Sequence, residues 1–116
     1  MSTQPCIFCQ IIHNEINAII VYQDDRVTAF RDIHPVSPTH ILITPNKHIE
    51  SMNMLAAGDE ELIQSLFSVA KELALQEKIA GSGFRIVLNT GPDGGQTVAH
   101  LHLHLIGGRR MHWPPG

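Results

Sequence analysis

The chain has 116 residues, of which 43% are hydrophobic and 16% charged, and its net charge is −3 when its eight histidines are neutral. That composition excludes a disordered chain, and the absence of any basic block argues against a dedicated nucleic-acid surface while leaving small nucleotides open. The sequence shows neither an apolar run of about 18 residues nor a signal peptide, so the expectation is one soluble, cytoplasmic domain over residues 1–116 with no membrane partner.

In chain order, the first feature is CIFC, which holds the only two cysteines, Cys6 and Cys9. In a reducing compartment a C-x-x-C pair points to a metal or a redox couple more than to a structural disulfide. The redox reading needs a strand before it, and five residues leave little room for one. A short helix is expected over Cys6–Asn14, because Ile7, Phe8, Ile11 and Ile12 recur at helical spacing. Ile19–Tyr22 and Val27–Phe30 flank Asp24-Asp25 and predict a hairpin. Pro35 and Pro38 make Asp32–Thr39 a loop, and HILIT, His40–Thr44, reads as a third strand.

A long helix of about 21 residues is expected from Asp59, with Asp59 as N-cap and Glu60 and Glu61 in the first turn. Leu62, Leu66, Val69, Ala70, Leu73 and Ala74 form its apolar stripe, and Gly81 and Gly83 supply its stop. FRIVLN, Phe84–Asn89, predicts a fourth strand. GPDGGQ, Gly91–Gln96, is a tight loop, and His100–Ile106 is a fifth strand ended by Gly107-Gly108. The order is that of an α+β domain, an antiparallel sheet with a helix on one face.

HLHLHL sets three imidazoles on one side of a strand and three leucines on the other. The leucines pack under the long helix and hold the histidines on a rigid support. A merely polar strand face usually carries Thr, Lys, Glu or Gln. A single metal ion cannot take all three rings, which the strand rise spreads over roughly 13 Å. Two of the rings could share one ion, although the strand offers no carboxylate, and a further reading is imidazole catalysis: a neutral histidine near pH 7 attacks as a nucleophile and passes protons. The glycines Gly91, Gly94 and Gly95 just upstream allow positive φ, which would let backbone N–H groups converge on a phosphate.

HLHLHLI, His100–Ile106, resembles the His-φ-His-φ-His-φ-φ signature of the histidine triad (HIT) proteins. IFCQIIHNEI, YQDDRVTAFRDI, PTHILITP, GGQTVAHLHLHLIGGR and MHWPPG extend the likeness over nearly the whole chain, toward the Hint branch of purine nucleoside phosphoramidases. The resemblance implies a five-stranded antiparallel sheet that becomes ten-stranded in a homodimer, with residues 109–116 as a tail near the dimer interface. It implies a purine nucleotide substrate and hydrolysis of nucleoside 5′-phosphoramidates through a nucleotidyl-histidine on His102, releasing AMP and an amine. His104 would bond a phosphate oxygen, while His100 and His48 would orient His102 and relay protons. Asn89, Gly95, Gln96 and Thr97 would ring the phosphate, with Thr97 near the leaving amine. Asp32 would accept the ribose hydroxyls, which suits a double acceptor. Ile7, Phe8, Ile11, Phe30 and Ile33 would form the base slot, and Trp113 would reach the neighbouring protomer's site. Two other readings are carried beside it: a dinucleoside polyphosphate hydrolase with the same intermediate, and a nucleotide-binding module with incidental turnover.

Three positions depart from the commonest Hint pattern. Thr97 stands where serine is usual and keeps the hydroxyl. His34 stands where serine is common. CIFC resembles bacterial HIT relatives that bind a structural zinc, which implies the ligand set Cys6, Cys9, His48 and His100. Zinc would then take His100 and His48 out of a free proton relay. The chemistry itself calls for no cofactor. His13, His34, His40 and His112 are assigned to surface or packing.

Overall fold

The computed structural model describes residues 6–116. Eight elements follow one another: α1 (Ile7–Ile12), β1 (Ile20–Gln23), β2 (Val27–Arg31), β3 (Thr39–Pro45), a 3₁₀ turn (Met52–Met54), α2 (Glu60–Gln76), β4 (Phe84–Val87) and β5 (Leu103–Gly107). The five strands form one sheet in the order β1-β2-β3-β5-β4, each neighbour antiparallel. This is the α+β architecture expected, and among the described residues no helix is long and apolar enough to cross a membrane.

The sheet has an apolar face and a chemical face, and period-two alternation separates them. Ile41 and Ile43 of β3, with Leu103 and Leu105 of β5, point to one side and pack beneath Leu66, Val69, Leu73 and Ala74 of α2. Each such aliphatic side chain contributes roughly 1.5–3 kcal/mol on full burial. Leu42 of β3 and Phe30 of β2 point to the other side, where Phe8 and Ile11 of α1 cover them as a second, smaller cluster. The central strand β3 is buried along its whole length, as a strand covered on both faces must be.

Several ends differ from the sequence expectation. α2 runs for 17 residues, because Lys78 takes a left-handed φ of 61° and closes the helix three residues before Gly81. The bonds from Lys78 N–H to the Leu75 carbonyl and from Ile79 N–H to the Ala74 carbonyl complete a Schellman motif in which a lysine does a glycine's work. Asp59 stands at the N-cap position but its carboxylate makes no capping bond. It accepts instead from the Ala56 N–H and from Lys47, both at 2.9 Å, and so ties the segment before the helix to the end of β3. β4 ends at Val87 rather than Asn89, and β5 pairs from Leu103 rather than His100.

Candidate active site

β5 starts late, and this places the three histidines in different settings. His104 lies in the ladder opposite Leu42 and Val87. His102 and His100 precede it, where the backbone leaves the sheet: His100 N–H bonds the Val98 carbonyl and Leu101 N–H the Ile49 carbonyl. Carbonyls freed from the ladder then receive ring nitrogens. His102 Nδ1 lies 2.7 Å from the carbonyl oxygen of His100, and His100 Nε2 lies 2.8 Å from that of Pro45.

A carbonyl only accepts, so each of those nitrogens carries the proton and the other nitrogen of each neutral ring is bare. His102 therefore has its lone pair on Nε2. Burial pushes the His102 pKa below the ordinary histidine value, against the opposing pulls of the His100 carbonyl and Asp32. The ring is neutral at pH 7 and available to attack. His104 is pushed down to about 4, by burial first and then by His102 and His40.

Sequence reasoning expected the His100 and His48 side chains to orient His102. The structure gives that task to the His100 backbone, and turns both rings elsewhere. His100 Nδ1 is 3.4 Å from Cys6 Sγ, 3.7 Å from Cys9 Sγ and 3.1 Å from His48 Nδ1, while Cys9 Sγ is 3.4 Å from His48 Nδ1. The ligand atoms of all four residues lie within 4.8 Å of one another. Two thiols and two imidazoles at these separations match the edges of a tetrahedron around zinc, with Zn–S about 2.3 Å and Zn–N about 2.0 Å. The Pro45 carbonyl supplies the outer hydrogen bond that fixes a metal-binding histidine's tautomer. The Cys9 thiol is pushed up to about 11, by burial first and then by Cys6.

A cleft of about 280 Å³ opens on the chemical face. Ile7, Phe8, Ile11, Phe30, Asp32, Ile33, Thr97, His102 and His104 all line it, together with Ile16, Asn17, Ala18, Arg31, Leu42 and Val98, which sequence reasoning did not single out. One end is apolar, and Phe8 stands edge-on to His102 with ring centroids 5.0 Å apart. A larger hollow of about 750 Å³ lies beyond the end of α2, but its lining of Glu77, Lys78, Arg85, Arg109 and Arg110 among others includes no imidazole or thiol.

Asn89, Gly95, Gln96 and Trp113 do not line the cleft. Gln96 braces the loop instead. Its Oε1 accepts the Gly91 N–H at 3.0 Å, and its Nε2 donates to the carbonyls of Glu50 at 2.7 Å and Val98 at 3.0 Å. Gly95 N–H and Gln96 N–H bond the carbonyls of Pro92 and Gly91. The N–H groups of Gly91 and Gly95, two of the three glycines expected to turn theirs toward an anion, are bonded inside the loop, as is that of Gln96. Gly91 and Gly95 do adopt positive φ, at 72° and 83°. Gly94 is needed for space: a Cβ there would sit 2.4 Å from the Thr90 carbonyl oxygen.

His40, expected at the surface or in packing, is the residue that sequence reasoning missed. Its Nε2 lies 2.9 Å from His104 Nδ1 and 3.4 Å from Asp32 Oδ2. The signal was available: His40 and Leu42 share a face of β3, and antiparallel pairing of β3 with β5 brings that face beside His104.

The chain is similar to known proteins over most of its length. The HIT domain model matches residues 13–111. The purine nucleoside phosphoramidase of Escherichia coli K12 is 52% identical over 105 residues, covering 90% of this chain and 88% of that one. A 14 kDa zinc-binding protein of Zea mays is 48% identical over 119 residues, covering 100% of this chain and 91% of its own. The crystal structure of a HIT family hydrolase from Legionella pneumophila superposes with a TM-score of 0.95 at 48% identity, covering 97% of this chain and 100% of that one. With His102 and His104 at one cleft and a family model matched over most of its length, the chain belongs to the HIT-domain family.

Proposed function

We propose that this protein is a hydrolase that cleaves the P–N bond of purine nucleoside 5′-phosphoramidates through a nucleotidyl-histidine. The observation that carries the reading is the bond from His102 Nδ1 to the His100 carbonyl, which leaves Nε2 bare in the cleft. The Nε2 lone pair attacks the α-phosphorus, the P–N bond to the leaving group breaks, and the amine departs with a proton. Water then attacks the same phosphorus, the P–Nε2 bond breaks, and the nucleoside monophosphate leaves. In this reading His104 donates to a phosphate oxygen and the Thr97 hydroxyl stands near the leaving amine. Asp32 accepts the ribose hydroxyls, and Ile7, Phe8, Ile11, Phe30 and Ile33 hold the base. Gln96 and Gly95 act by holding the loop that carries Thr97 and Val98, and Asn89 acts from the segment just after β4. The phosphoramidase named among the relatives supports the substrate class.

Cys6, Cys9, His48 and His100 would hold a structural zinc, whose chemistry there is to deprotonate the thiols and lock the N-terminal segment to the histidine strand. The zinc-binding relative supports this assignment. The proposal includes a homodimer joined through the open edge of β4, which would set the tail of one protomer beside the other's cleft.

The test is turnover of adenosine 5′-phosphoramidate beside diadenosine polyphosphates, in wild type and His102→Ala. The expected loss in the variant is roughly 10⁴-fold or more. Rapid quenching with labelled substrate should place the label on His102 by mass spectrometry. Faster turnover of the polyphosphate would shift the assignment to that hydrolase class. An alanine variant that keeps its rate would remove His102 as nucleophile.

A further inference from the structure

The pairing of His40 with His104 assigns a proton. The Val36 N–H lies 3.2 Å from His40 Nδ1, and a backbone N–H can only donate, so His40 Nδ1 is the acceptor. His40 is buried, and burial lowers its pKa despite the carboxylate of Asp32, so the ring is neutral at pH 7. Its one proton then sits on Nε2. That nitrogen is 2.9 Å from His104 Nδ1, a distance at which two nitrogens share one hydrogen. Since His40 holds the proton, His104 Nδ1 is bare, and the neutral His104 ring carries its proton on Nε2.

The same His40 proton has a second acceptor. Asp32 Oδ2 lies 3.4 Å from Nε2, while Asp32 Oδ1 is engaged by the His34 N–H at 2.8 Å. A carboxylate draws strongly on a nearby N–H, so the proton is contested between Asp32 and His104. Ribose hydroxyls donating to Asp32 would satisfy that oxygen and release the proton to His104.

We propose that His40 is a positioning residue that fixes His104 as an Nε2–H donor, and that through its contested proton it couples sugar recognition at Asp32 to phosphate recognition at His104. The proposal rests on the nucleotide-hydrolase reading above for the identity of sugar and phosphate, but its proton assignment does not. In consequence, a substrate lacking ribose hydroxyls should lose turnover rate as well as affinity.

Two measurements test it. Long-range ¹H–¹⁵N correlation spectra of the free wild-type protein report which nitrogen of each ring is protonated. His104 is expected in the Nε2–H form, retained in His40→Gln, whose amide N–H can donate to Nδ1, and lost in His40→Leu. The second compares kcat and KM for ribo- and 2′,3′-dideoxy-adenosine phosphoramidates. His40→Leu should lower kcat by roughly 10²-fold with KM little changed, and His40→Gln should restore most of it. The dideoxy penalty on kcat seen in wild type should vanish in His40→Gln, because an amide has two N–H groups and can serve Asp32 and His104 together, leaving a penalty on KM alone. A wild-type His104 in the Nδ1–H form overturns the proposal without any variant, and so does a dideoxy penalty confined to KM in wild type. A wild type inert toward phosphoramidates but with His104 in the Nε2–H form would remove the function proposed above and leave the proton assignment standing.

Discussion

Peptide oxygens decide which nitrogen of His100 and of His102 is free. His102 and His100 each spend one nitrogen on a carbonyl, and the other is left to the cleft or to the thiol pair. The acceptor of His102 is backbone, so substitution of the His100 side chain would remove a proposed zinc ligand while keeping the atom that orients the proposed nucleophile. Metal analysis makes the division testable. Wild type purified without chelators should carry about one zinc per chain, and Cys6→Ser should carry much less and melt at a lower temperature. A metal-free wild type would end the zinc assignment. The residues that gather at the site were legible as letters, because alternation at His100, His102 and His104 needs only a strand. The protonation of His102 and His100 was not, because the deciding partners are carbonyls of His100 and Pro45, and every residue has one. The bracing by Gln96 was not legible for the same reason: all three of its partners are peptide groups.

At the scale of elements, hydrophobic spacing located every helix and strand of the sheet, while their ends followed cues that spacing does not carry. α2 stops at a left-handed lysine rather than at the glycines downstream. β5 begins at Leu103 because His100 turns its backbone to Val98, a bond no periodicity announces. The loop between β4 and β5 was recognised from its glycines, but for the wrong reason at Gly94, where crowding by Thr90 rather than positive φ excludes a side chain. Gly94→Ala is therefore expected to destabilise the protein by about 1–3 kcal/mol in urea unfolding. Gly81→Ala, which meets open space at an ordinary φ, should stay within about 0.5 kcal/mol of wild type. Equal effects of the two substitutions would refute the crowding at Thr90.

At the scale of the whole molecule, the two sheet edges and the tail look outward. β4 is an open edge, and Phe84 on it is 41% exposed. The tail is held to β4 by the bond from Arg85 Nη2 to the His112 carbonyl at 2.9 Å, and it leaves Trp113 82% exposed. Within its own chain Trp113 does not reach the cleft. Sedimentation equilibrium should accordingly find a species of roughly twice 12.8 kDa. Deleting Met111–Gly116 should change the ratio of kcat/KM values among phosphoramidates with different amines more than it changes Tm. A monomer in solution, or a tail deletion with unaltered selectivity, would remove the tail from the site. The sheet itself is a partition. The cluster under α2 and the cluster formed by Phe8, Ile11, Phe30 and Leu42 share no side chain. Descendants of this sequence are thus free to re-carve the cleft for another base or leaving group while the helix side keeps the polypeptide folded, so novelty in chemistry and persistence of shape are inherited on opposite faces of one wall.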